Sequence, residues 1–302
     1  MMDSGRIILV TGKNCKVKTD NGDIFDCVIR GVFRLKGIRT THPVAVGDIV
    51  DFQLSEKEDV GVITKIHERK NCIIRKSVNL SHESHLLATN IDNAFLVVSL
   101  TEPATPLGFI DRFTVAAQTF HIPLTLIFNK CDLHTPNISQ ISCQTRKIYE
   151  KIGFPCIETS VVSGYNIDLL RNITSGKTIL FSGNSGVGKS ALINAIDNTK
   201  HLKTGEISSF HKKGKHTTTF TEMHRLGNGA YIIDSPGIKE FGLIHLPKNE
   251  IHLYFPEFFA IQKECKFDDC THTHEPDCAV LKALENGEIA ESRYKNYVYM
   301  LE

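Results

Sequence analysis

A glycine-rich run contains the residues with the clearest chemistry in this chain. It reads Gly183-Asn184-Ser185-Gly186-Val187-Gly188-Lys189-Ser190 and lies between a predicted strand and a predicted helix. Glycines let the backbone curl so that its N–H groups point at phosphate oxygens, and the start of the helix adds positive charge. We expect the Lys189 ammonium to reach the β- and γ-phosphates of a nucleotide and the Ser190 hydroxyl to ligate Mg²⁺.

A second phosphate-side motif, Asp234-Ser235-Pro236-Gly237, ends the predicted strand 231–233. A carboxylate at the carboxyl end of such a strand can hold Mg²⁺ through water, so Asp234 is a predicted magnesium residue. We expect the Gly237 N–H to donate to the γ-phosphate. The motif is weak alone, but it becomes specific when it follows a phosphate-binding loop.

The run Asn129-Lys130-Cys131-Asp132 also follows an apolar predicted strand. Guanine presents two donors on one edge, and a single carboxylate accepts both, whereas adenine presents a different pattern. Asp132 is therefore expected to select guanine, with Lys130 along the base plane and Asn129 tying this run to the phosphate loop. Charged hydrogen bonds are worth about 1.5–3 kcal/mol each, enough to separate the two bases by a few orders of magnitude.

The order of these motifs indicates a circular permutation. Ordinary GTPases have the phosphate loop first, but here Asn129 lies 60 residues before Lys189. The same sheet can still form if the old chain ends are joined, because chain termini often lie close together. The segment after Gly237 then leads directly into the C-terminal region, and we expect the nucleotide state to steer that region.

The loop His211-Lys212-Lys213-Gly214-Lys215-His216-Thr217-Thr218-Thr219 lies between the two phosphate motifs. We expect the Thr218 hydroxyl to complete the Mg²⁺ shell when GTP is bound. Ile238 occupies the position where many GTPases have a water-orienting Gln, so intrinsic turnover should be slow, on the order of 10⁻⁴–10⁻² s⁻¹. His216 is the nearest polar substitute; the other interpretation is a structural or RNA-contacting histidine.

The predicted nucleotide contacts also include the turn Thr159-Ser160-Val161, which fits a second contact to the base. The residues predicted to bind GTP are Asn129, Lys130, Asp132, Ser160, Val161, Gly183, Asn184, Ser185, Gly186, Val187, Gly188, Lys189, Ser190, Ala191, Thr218 and Gly237. The predicted magnesium residues are Ser190, Thr218 and Asp234.

Three of the nine cysteines, Cys265, Cys270 and Cys278, are clustered near the C-terminus. Together with one histidine they suit tetrahedral Zn²⁺, whose preferred ligands are thiolate and imidazole. His272 fits better than His274, which is the second choice. Four protein ligands leave no open position, so such a metal is structural and contributes to the folding of a small region. Redox-active or chance cysteines are the alternative.

Residues 1–75 alternate short β-like runs with turns and predict a five-stranded barrel of the oligonucleotide/oligosaccharide-binding (OB) type. The hairpin signal at Asn21-Gly22 and the break at Gly47-Asp48 support this prediction. An SH3-like barrel would look almost the same. The run 30–39 carries four cations and no acid, which suits either contact with RNA or a solvated loop.

Residues 76–243 alternate strands and helices, a pattern typical of a parallel α/β sheet. Residues 244–302 form the predicted zinc domain, with helices expected over 248–263 and 280–299. The predicted domains are thus 1–75, 76–243 and 244–302, and their net charges are +3, +3 and −5. Any contact with RNA should therefore come from patches in the first two.

The chain has 302 residues, 41% hydrophobic and 23% charged, as in an ordinary globular protein. The longest apolar stretch near the start, 7–10, is too short for a signal peptide or a membrane span. We therefore expect a soluble, cytoplasmic and monomeric protein.

Together these motifs resemble the ribosome small-subunit-dependent GTPase A family, permuted GTPases of late small-subunit assembly. The resemblance covers nearly the whole chain and also includes Val46-Gly47-Asp48 and the run 214–219. It implies hydrolysis of GTP to GDP and phosphate, stimulation by the small ribosomal subunit, contact with its rRNA and a single zinc. It also implies His216 as the hydrolysis aid. Val161 and Lys215 depart mildly from the family's usual residues.

By the same resemblance, the zinc ligands are Cys265, Cys270, His272 and Cys278.

Two other functions remain open from the residues alone. One is an RNA-binding protein whose nucleotide site only stabilises the fold, although the presence of Lys189, Ser190 and Asp234 together argues against it. The other is a P-loop ATPase, which Asp132 disfavours. Single-turnover hydrolysis and competition between ATP and GTP would separate these readings.

Overall fold

The computed structural model of the protein describes residues 2–12, 14–29, 43–55, 60–76, 84–197, 222–234 and 246–302. These residues belong to two units that interleave along the chain. The first unit draws on Met1–Ala94, Ile167–Ser182 and Ser190–Glu240, and the second draws on Phe95–Asn166, Gly183–Lys189 and Phe241–Glu302.

The first unit begins with a closed five-stranded barrel. Its strands are β1 (Met2–Thr11), β2 (Asn14–Thr19), β3 (Ile24–Ile29), β4 (Ile49–Leu54) and β5 (Gly61–Ile66). The pairings run β1–β2–β3–β5–β4 and return to β1, with β3 parallel to β5. This closed order is that of an OB-type barrel, which confirms the prediction and removes the SH3-like alternative. Inward residues such as Val17 and Phe52 fill the interior because strand side chains alternate between faces.

The rest of the first unit contains a hairpin, part of an α/β layer and two helices. The hairpin pairs β6 (Cys72–Lys76) with β7 (Ser84–Thr89). In the α/β part, β11 (Thr178–Ser182) is parallel to β13 (Tyr231–Asp234), and β12 (Glu222–Arg225) is antiparallel to β13. The helices are α3 (Ile167–Thr174) and α4 (Lys189–Ile196). The first residue of α4, Lys189, belongs to the second unit.

The second unit contains the strand order β10-β9-β8, with β8 at Asn93–Val98, β9 at Leu124–Asn129 and β10 at Cys156–Thr159. β9 is buried along its whole length, as expected of a strand covered on both faces. Helix α1 (Leu107–Thr119) follows β8, and α2 (Pro136–Lys151) follows β9. Thr135 caps α2, because its side chain accepts a hydrogen bond from the Ile138 N–H.

The C-terminal part of the second unit is helical. It comprises a 3₁₀ segment (Lys248–Tyr254), α5 (Pro256–Ile261), a 3₁₀ turn (Gln262–Glu264), α6 (Ala279–Glu285) and α7 (Glu291–Leu301). Phe255, Phe258 and Tyr297 pack in its core with ring centroids 5.0–5.4 Å apart.

Several details of the elements differ from the prediction. The stretch 280–299, expected to be a helix, is divided into α6 and α7, which residues 286–290 separate. The expected helix over 248–263 is broken, because Pro256 starts a new helix and holds Phe255 in an extended conformation. Strand β12 was not predicted, since its sequence Glu-Met-His-Arg has no apolar run. The basic run 30–39 lies outside the described residues, and its role stays a prediction.

Candidate nucleotide and metal sites

The register of two parallel strands brings the guanine motif beside the second base-contacting turn. Asn129, the last residue of β9, is the register partner of Thr159, the last residue of β10. Because both strands end at the same edge, the loops that follow them emerge side by side. The two predicted base-contacting segments therefore adjoin in the second unit.

Asn129 links the guanine motif to the phosphate loop. Its Nδ2 donates to the Val187 carbonyl over 2.8 Å, and its Oδ1 accepts from the Thr159 hydroxyl over 3.1 Å. The Asn129 and Thr159 side chains are buried, so each unmade hydrogen bond would leave a costly polar atom. This link is the one that the sequence predicted for Asn129.

Three glycines of the phosphate loop have positive φ angles, and two of them, Gly183 and Gly188, lie against the neighbouring strands. Gly183 and Gly188 have positive φ angles of 139° and 98°. A Cβ at Gly183 would collide with the Val97 carbonyl, and one at Gly188 would collide with the Asn129 amide. The loop can therefore approach β8 and β9 this closely only where it has no side chains.

Lys189 is fixed against the phosphate loop. Its Nζ lies 2.7 Å from the carbonyl oxygens of both Gly183 and Asn184. It is also the first residue of α4, where the helix N-terminus favours anions. The loop thus combines a positioned ammonium with a helix N-terminus, which is an arrangement suited to phosphate.

The residues proposed to read the base lie in short turns. Asp132 belongs to the 3₁₀ turn Cys131–Leu133 and is exposed, while Lys130 has a left-handed backbone with φ 66°. Ser160 is buried, and its hydroxyl accepts from the Ser163 N–H over 3.1 Å. The exposed Asp132 carboxylate is available to a ligand. The turn that contains Ser160 lies at the same edge of the sheet, after β10.

A loop that the sequence reasoning missed also contacts both motifs. Glu102 accepts through its carbonyl from Lys130 Nζ over 2.9 Å. Pro103 lies against the phosphate loop, where a Cβ on Gly186 would be 3.1 Å from the Pro103 ring. No sequence pattern marks these residues, because the contacts depend on where α1 places the preceding loop.

The remaining predicted phosphate residues are described in part or not at all. Asp234 ends β13, which is parallel to β11 and has Ile233 in register with Leu180. The Asp234 backbone thus lies at the same edge as Ser182, immediately before the phosphate loop. His216, Thr218 and Gly237 lie outside the described residues.

Cys265, Cys270, His272 and Cys278 form the one group of possible metal ligands found in the described part of the chain. Their ligand atoms all lie within 4.8 Å of one another. The Cys265 and Cys278 sulfurs are 4.0 Å apart, and they lie 3.6 and 3.4 Å from His272 Nδ1. Tetrahedral Zn–S and Zn–N bonds would place sulfurs about 3.8 Å apart and sulfur and nitrogen about 3.5 Å apart. The donor set therefore fits a tetrahedral metal ion.

Electrostatics favour a cation at this cluster. Burial raises the pKa of the Cys270 thiol to about 12, so thiolates there need a nearby positive charge. Burial lowers the pKa of His272 to about 4, aided by His252. His272 is therefore neutral at neutral pH, and Nδ1, the ring nitrogen that faces the sulfurs, can offer a lone pair to a metal ion. His274 lies outside this group of ligand atoms and is exposed.

Glu275 organises the loop between the ligands. Its carboxylate accepts from the Thr271 N–H and hydroxyl over 2.7 and 2.6 Å, and from the Thr273 and His274 N–H groups over 3.0 and 3.2 Å. Burial alone would raise the pKa of Glu275, but these donors lower it well below the usual range. The sequence analysis did not single out Glu275, although an acidic residue three positions after the candidate ligand His272 was an available signal.

The joined motifs define the class of protein. A guanine motif and a phosphate loop meet at one sheet edge, although their chain order is reversed relative to ordinary GTPases, which makes the protein a circularly permuted GTPase. The family model described as RsgA GTPase matches residues 66–244, and the model described as RsgA N-terminal domain matches residues 4–63. The chain belongs to the RsgA GTPase family and is a GTP hydrolase.

Curated relatives cover almost the full chain. A protein of Flavobacterium psychrophilum named small ribosomal subunit biogenesis GTPase RsgA is 49% identical over 99% of this chain and 92% of its own length. A Bacteroides thetaiotaomicron protein named small ribosomal subunit biogenesis GTPase RsgA 2 is 48% identical over 99% of this chain and 96% of its own.

Solved structures agree with this family. The crystal structure of YjeQ from Thermotoga maritima matches with a TM-score of 0.80 and 32% identity, covering 100% of this chain and 98% of that one. YloQ, titled a circularly permuted GTPase, matches with a TM-score of 0.73 and 26% identity, covering 100% and 94%. Separately, none of the described helices has the length and apolar character needed to cross a membrane.

Proposed function

We propose that this GTPase binds the small ribosomal subunit during its late maturation, and that the subunit stimulates its turnover. The relatives named for small-subunit biogenesis carry this proposal, since they match 99% of the chain at 48–49% identity. The nearly complete coverage supports the inference that this chain shares the function of its relatives, because the barrel, the nucleotide site and the Cys–His cluster all lie within the matched region.

The proposed GTP contacts are the residues predicted from the motifs. Asp132 and Lys130 read the base, with Ser160 and Val161 beside them, and the loop from Gly183 to Ala191 surrounds the phosphates. The Asn129 link to Val187 supports this assignment, because it fixes the base-reading turn relative to the loop. A rigid spacing between the two halves lets one nucleotide engage both without reorganisation.

For hydrolysis, we propose that Ser190, Thr218 and Asp234 hold Mg²⁺, which would neutralise charge on the β- and γ-phosphates. Gly237 would donate its N–H to the γ-phosphate. His216 would orient the attacking water or accept its proton, since Ile238 has no polar atom for that role.

At the C-terminal cluster we propose one structural Zn²⁺ bound by Cys265, Cys270, His272 and Cys278. The sulfur and nitrogen spacings support tetrahedral coordination, and thiolate with imidazole is the donor set that zinc prefers. Four protein ligands leave no position for a substrate.

The proposed domains are 1–75, 76–243 and 244–302, with a monomeric protein in the cytoplasm. The proposed RNA contacts come from the first two domains, whose net charges are positive.

The deciding experiment is GTP turnover with purified small subunits, with large subunits as the control, at a stated salt concentration. We expect slow turnover alone and strong stimulation by small subunits only. Equal stimulation by both subunits, or none, would refute the proposed partner. Failure of single-turnover hydrolysis even with small subunits would support the alternative in which the nucleotide only stabilises an RNA-binding fold.

His216→Ala should lower subunit-stimulated kcat by about 100-fold, the contribution of a general base, while leaving GTP affinity nearly unchanged. His211→Ala, in the same basic loop, is the matched control and should retain turnover. Equal activity of both variants would remove the proposed role of His216.

Asp132→Ala should weaken GTP binding by about 100-fold and leave weak ATP binding unchanged, because only guanine presents two donors to this carboxylate. Competition of unlabelled GTP and ATP for a fluorescent GDP analogue measures both. A parallel loss for ATP and GTP would contradict base reading by Asp132.

A further inference from the structure

The last helix, α7, contacts both helix α1 and the loop from Cys265 to Cys278, which we call the Cys–His loop. On one side the Tyr294 hydroxyl donates to the His272 carbonyl over 3.0 Å, and the Tyr297 hydroxyl donates to the Thr271 carbonyl over 2.7 Å. On the other side Arg293 and Asn296 contact Asp111 of α1. A single helix therefore touches both the proposed metal loop and the α/β part of the second unit.

Asp111 is the buried acceptor at this junction, with its side chain 0% exposed. Its Oδ1 accepts from Arg293 and from the Tyr149 hydroxyl of α2, each over 2.7 Å, and its Oδ2 accepts from Asn296 Nδ2 over 2.5 Å. Burial and the Asp111 charge raise the pKa of Tyr149 well above its ordinary value, so Tyr149 remains a donor. The carboxylate thus ties α1 to both α2 and α7.

Arg293 is itself fully buried and held in one orientation. Its Nε and NH2 donate to the two Glu257 oxygens over 2.7 and 3.1 Å, a bidentate pairing. Its guanidinium also lies 4.4 Å from the Phe255 ring centroid. Burial alone would lower the pKa of Arg293, but Asp111 and Glu257 raise it above its ordinary value. These charged hydrogen bonds have fixed directions. They therefore oppose a sliding movement of α7 relative to α1 and α5.

Gly108 sets how closely the two helices approach. A Cβ at this position, in the first turn of α1, would lie 3.1 Å from Asn296 Oδ1. Few real Cβ atoms have contacts this short, so with a side chain here either the Asn296 amide or the spacing of α1 and α7 must give by a few tenths of an ångström. The close contact lies two residues from the loop that precedes α1.

That loop, Ser99–Pro106, is closed by its own hydrogen bonds and contacts both halves of the nucleotide site. The Thr105 N–H donates to the Ser99 carbonyl over 2.8 Å, and the Thr105 hydroxyl accepts from the Ser99 N–H over 3.1 Å. The loop carries Glu102, whose carbonyl holds Lys130, and Pro103, which lies against Gly186. The Pro106 carbonyl of the loop accepts from the Phe109 and Ile110 N–H groups of α1 over 3.0 and 3.4 Å, so we expect the loop to follow the position of the helix.

We propose that α7 positions the nucleotide site: Asn296 and Arg293 hold α1 through Asp111, and α1 sets the loop Ser99–Pro106 against Lys130 and Gly186. The inference rests on the proposed function, because it takes Lys130 and the phosphate loop as nucleotide-binding. It makes Asn296 and Arg293 positioning residues for that site. Through Tyr294 and Tyr297, the same helix makes the nucleotide affinity sensitive to the state of the Cys–His loop.

Two substitutions probe the junction without deleting a buried charge. Asn296→Ala removes one donor to Asp111, whose other oxygen keeps Arg293 and Tyr149. Gly108→Ala inserts the crowding Cβ, although alanine by itself favours a helix. Lys295→Ala is the matched control, because Lys295 lies on the exposed side of α7, paired with Glu291.

The measurement is release of a fluorescent GDP analogue from the full chain by stopped flow, together with the melting temperature and the GTP KM and basal kcat. Asn296→Ala and Gly108→Ala should each speed release about 5–10-fold, a typical coupling between distant sites. The KM for GTP should rise, whereas kcat should stay within about twofold of the parent value, because the phosphate chemistry is untouched. Gly108→Ala should melt no lower than the parent chain, which separates positioning from a loss of stability.

The double variant Gly108→Ala/Asn296→Ala should release the analogue no faster than Asn296→Ala alone, because the crowded oxygen is gone. Parent-like release in both single variants, or equal acceleration in Lys295→Ala, would overturn the inference. If that happens while Lys189→Ala abolishes binding, only the positioning role fails. If the parent chain itself binds no guanine nucleotide, the proposed function fails, and the inference fails with it.

Discussion

The four ligands of the Cys–His cluster lie within 14 residues of one another, whereas Asn129 and Lys189 of the nucleotide site are 60 residues apart. The first site is arranged by a short loop around Glu275, and the second by the register of two strands and a glycine-rich turn. From this difference we expect that the cluster depends on the proposed metal for its order, while the nucleotide site is preorganised by the sheet.

Removal of the proposed metal should have the largest effect, and the loss of ordered structure should be confined to the Cys–His loop and α6. Chelation should unfold the Cys–His loop and α6, because metal affinity there is part of the folding free energy, about 10–16 kcal/mol in small zinc-binding peptides. Sheet protection in hydrogen exchange should persist, and GDP should still bind, weakened about 5–10-fold through α7.

An intact exchange pattern at residues 265–285 after metal loss would contradict this comparison. Metal content and hydrogen exchange should be measured on the same sample, with added Zn²⁺ restoring protection.

Lys189→Ala should weaken GTP binding by about 1,000-fold and leave the melting temperature within about 2 °C. The ammonium contacts the Gly183 and Asn184 carbonyls of the loop, and charge-assisted contacts to phosphate are the strong ones. Titration calorimetry and thermal melting measure the two quantities. Lys177→Ala, before β11, is the control, and a comparable loss of GTP affinity there would point to an indirect effect.

Asn129→Ala should affect both stability and binding, since the side chain is part of the scaffold. It leaves the Val187 carbonyl and the Thr159 hydroxyl without this partner, at a cost of about 1–3 kcal/mol. GDP affinity should fall about 10-fold. Urea unfolding and nucleotide titration test it, and a stable variant with unchanged affinity would show that the register alone holds the two motifs together.

Glu275→Gln should have the smallest effect, about 1–2 kcal/mol for weakened hydrogen bonds to a charged acceptor. Because the folded-state pKa of Glu275 is lowered, its contribution is full above the ordinary value of 4.5 and is lost as pH falls through the lowered value. Metal transfer to a chelator at pH 7 should be faster in the variant. Unchanged transfer would mean that the ligands order the loop by themselves.

Much of the fold followed from local patterns. The apolar runs of β8, β9 and β11 and the turn at Asn21-Gly22 predicted their elements correctly, because burial on both faces and positive φ leave a clear signal in sequence. The OB-type barrel was also predicted, but the local patterns could not exclude the SH3-like alternative, because the β3–β5 and β1–β4 pairings that decide it are long-range. Strand β12 could not be predicted from its composition, because its residues are mostly polar. It forms through its pairing with β1 on one edge and β13 on the other.

The candidate sites likewise include parts that the sequence predicted and parts that it did not. The four residues predicted as metal ligands lie together in the structure, and their proximity in the chain explains why. The Asp111 junction was missed: its members come from α1, α2, α5 and α7, and each alone looks like an ordinary charged or polar helix residue.

The sequence by itself determined which chemistry is possible here, because phosphate loops, guanine motifs and metal ligands require particular residue types at short spacings. Only the tertiary structure decided which of these residues meet and what holds them. Contacts such as Asn129 to Val187 or Arg293 to Asp111 depend on strand register and helix packing, which are summed over many weak interactions. No single stretch of the chain encodes them.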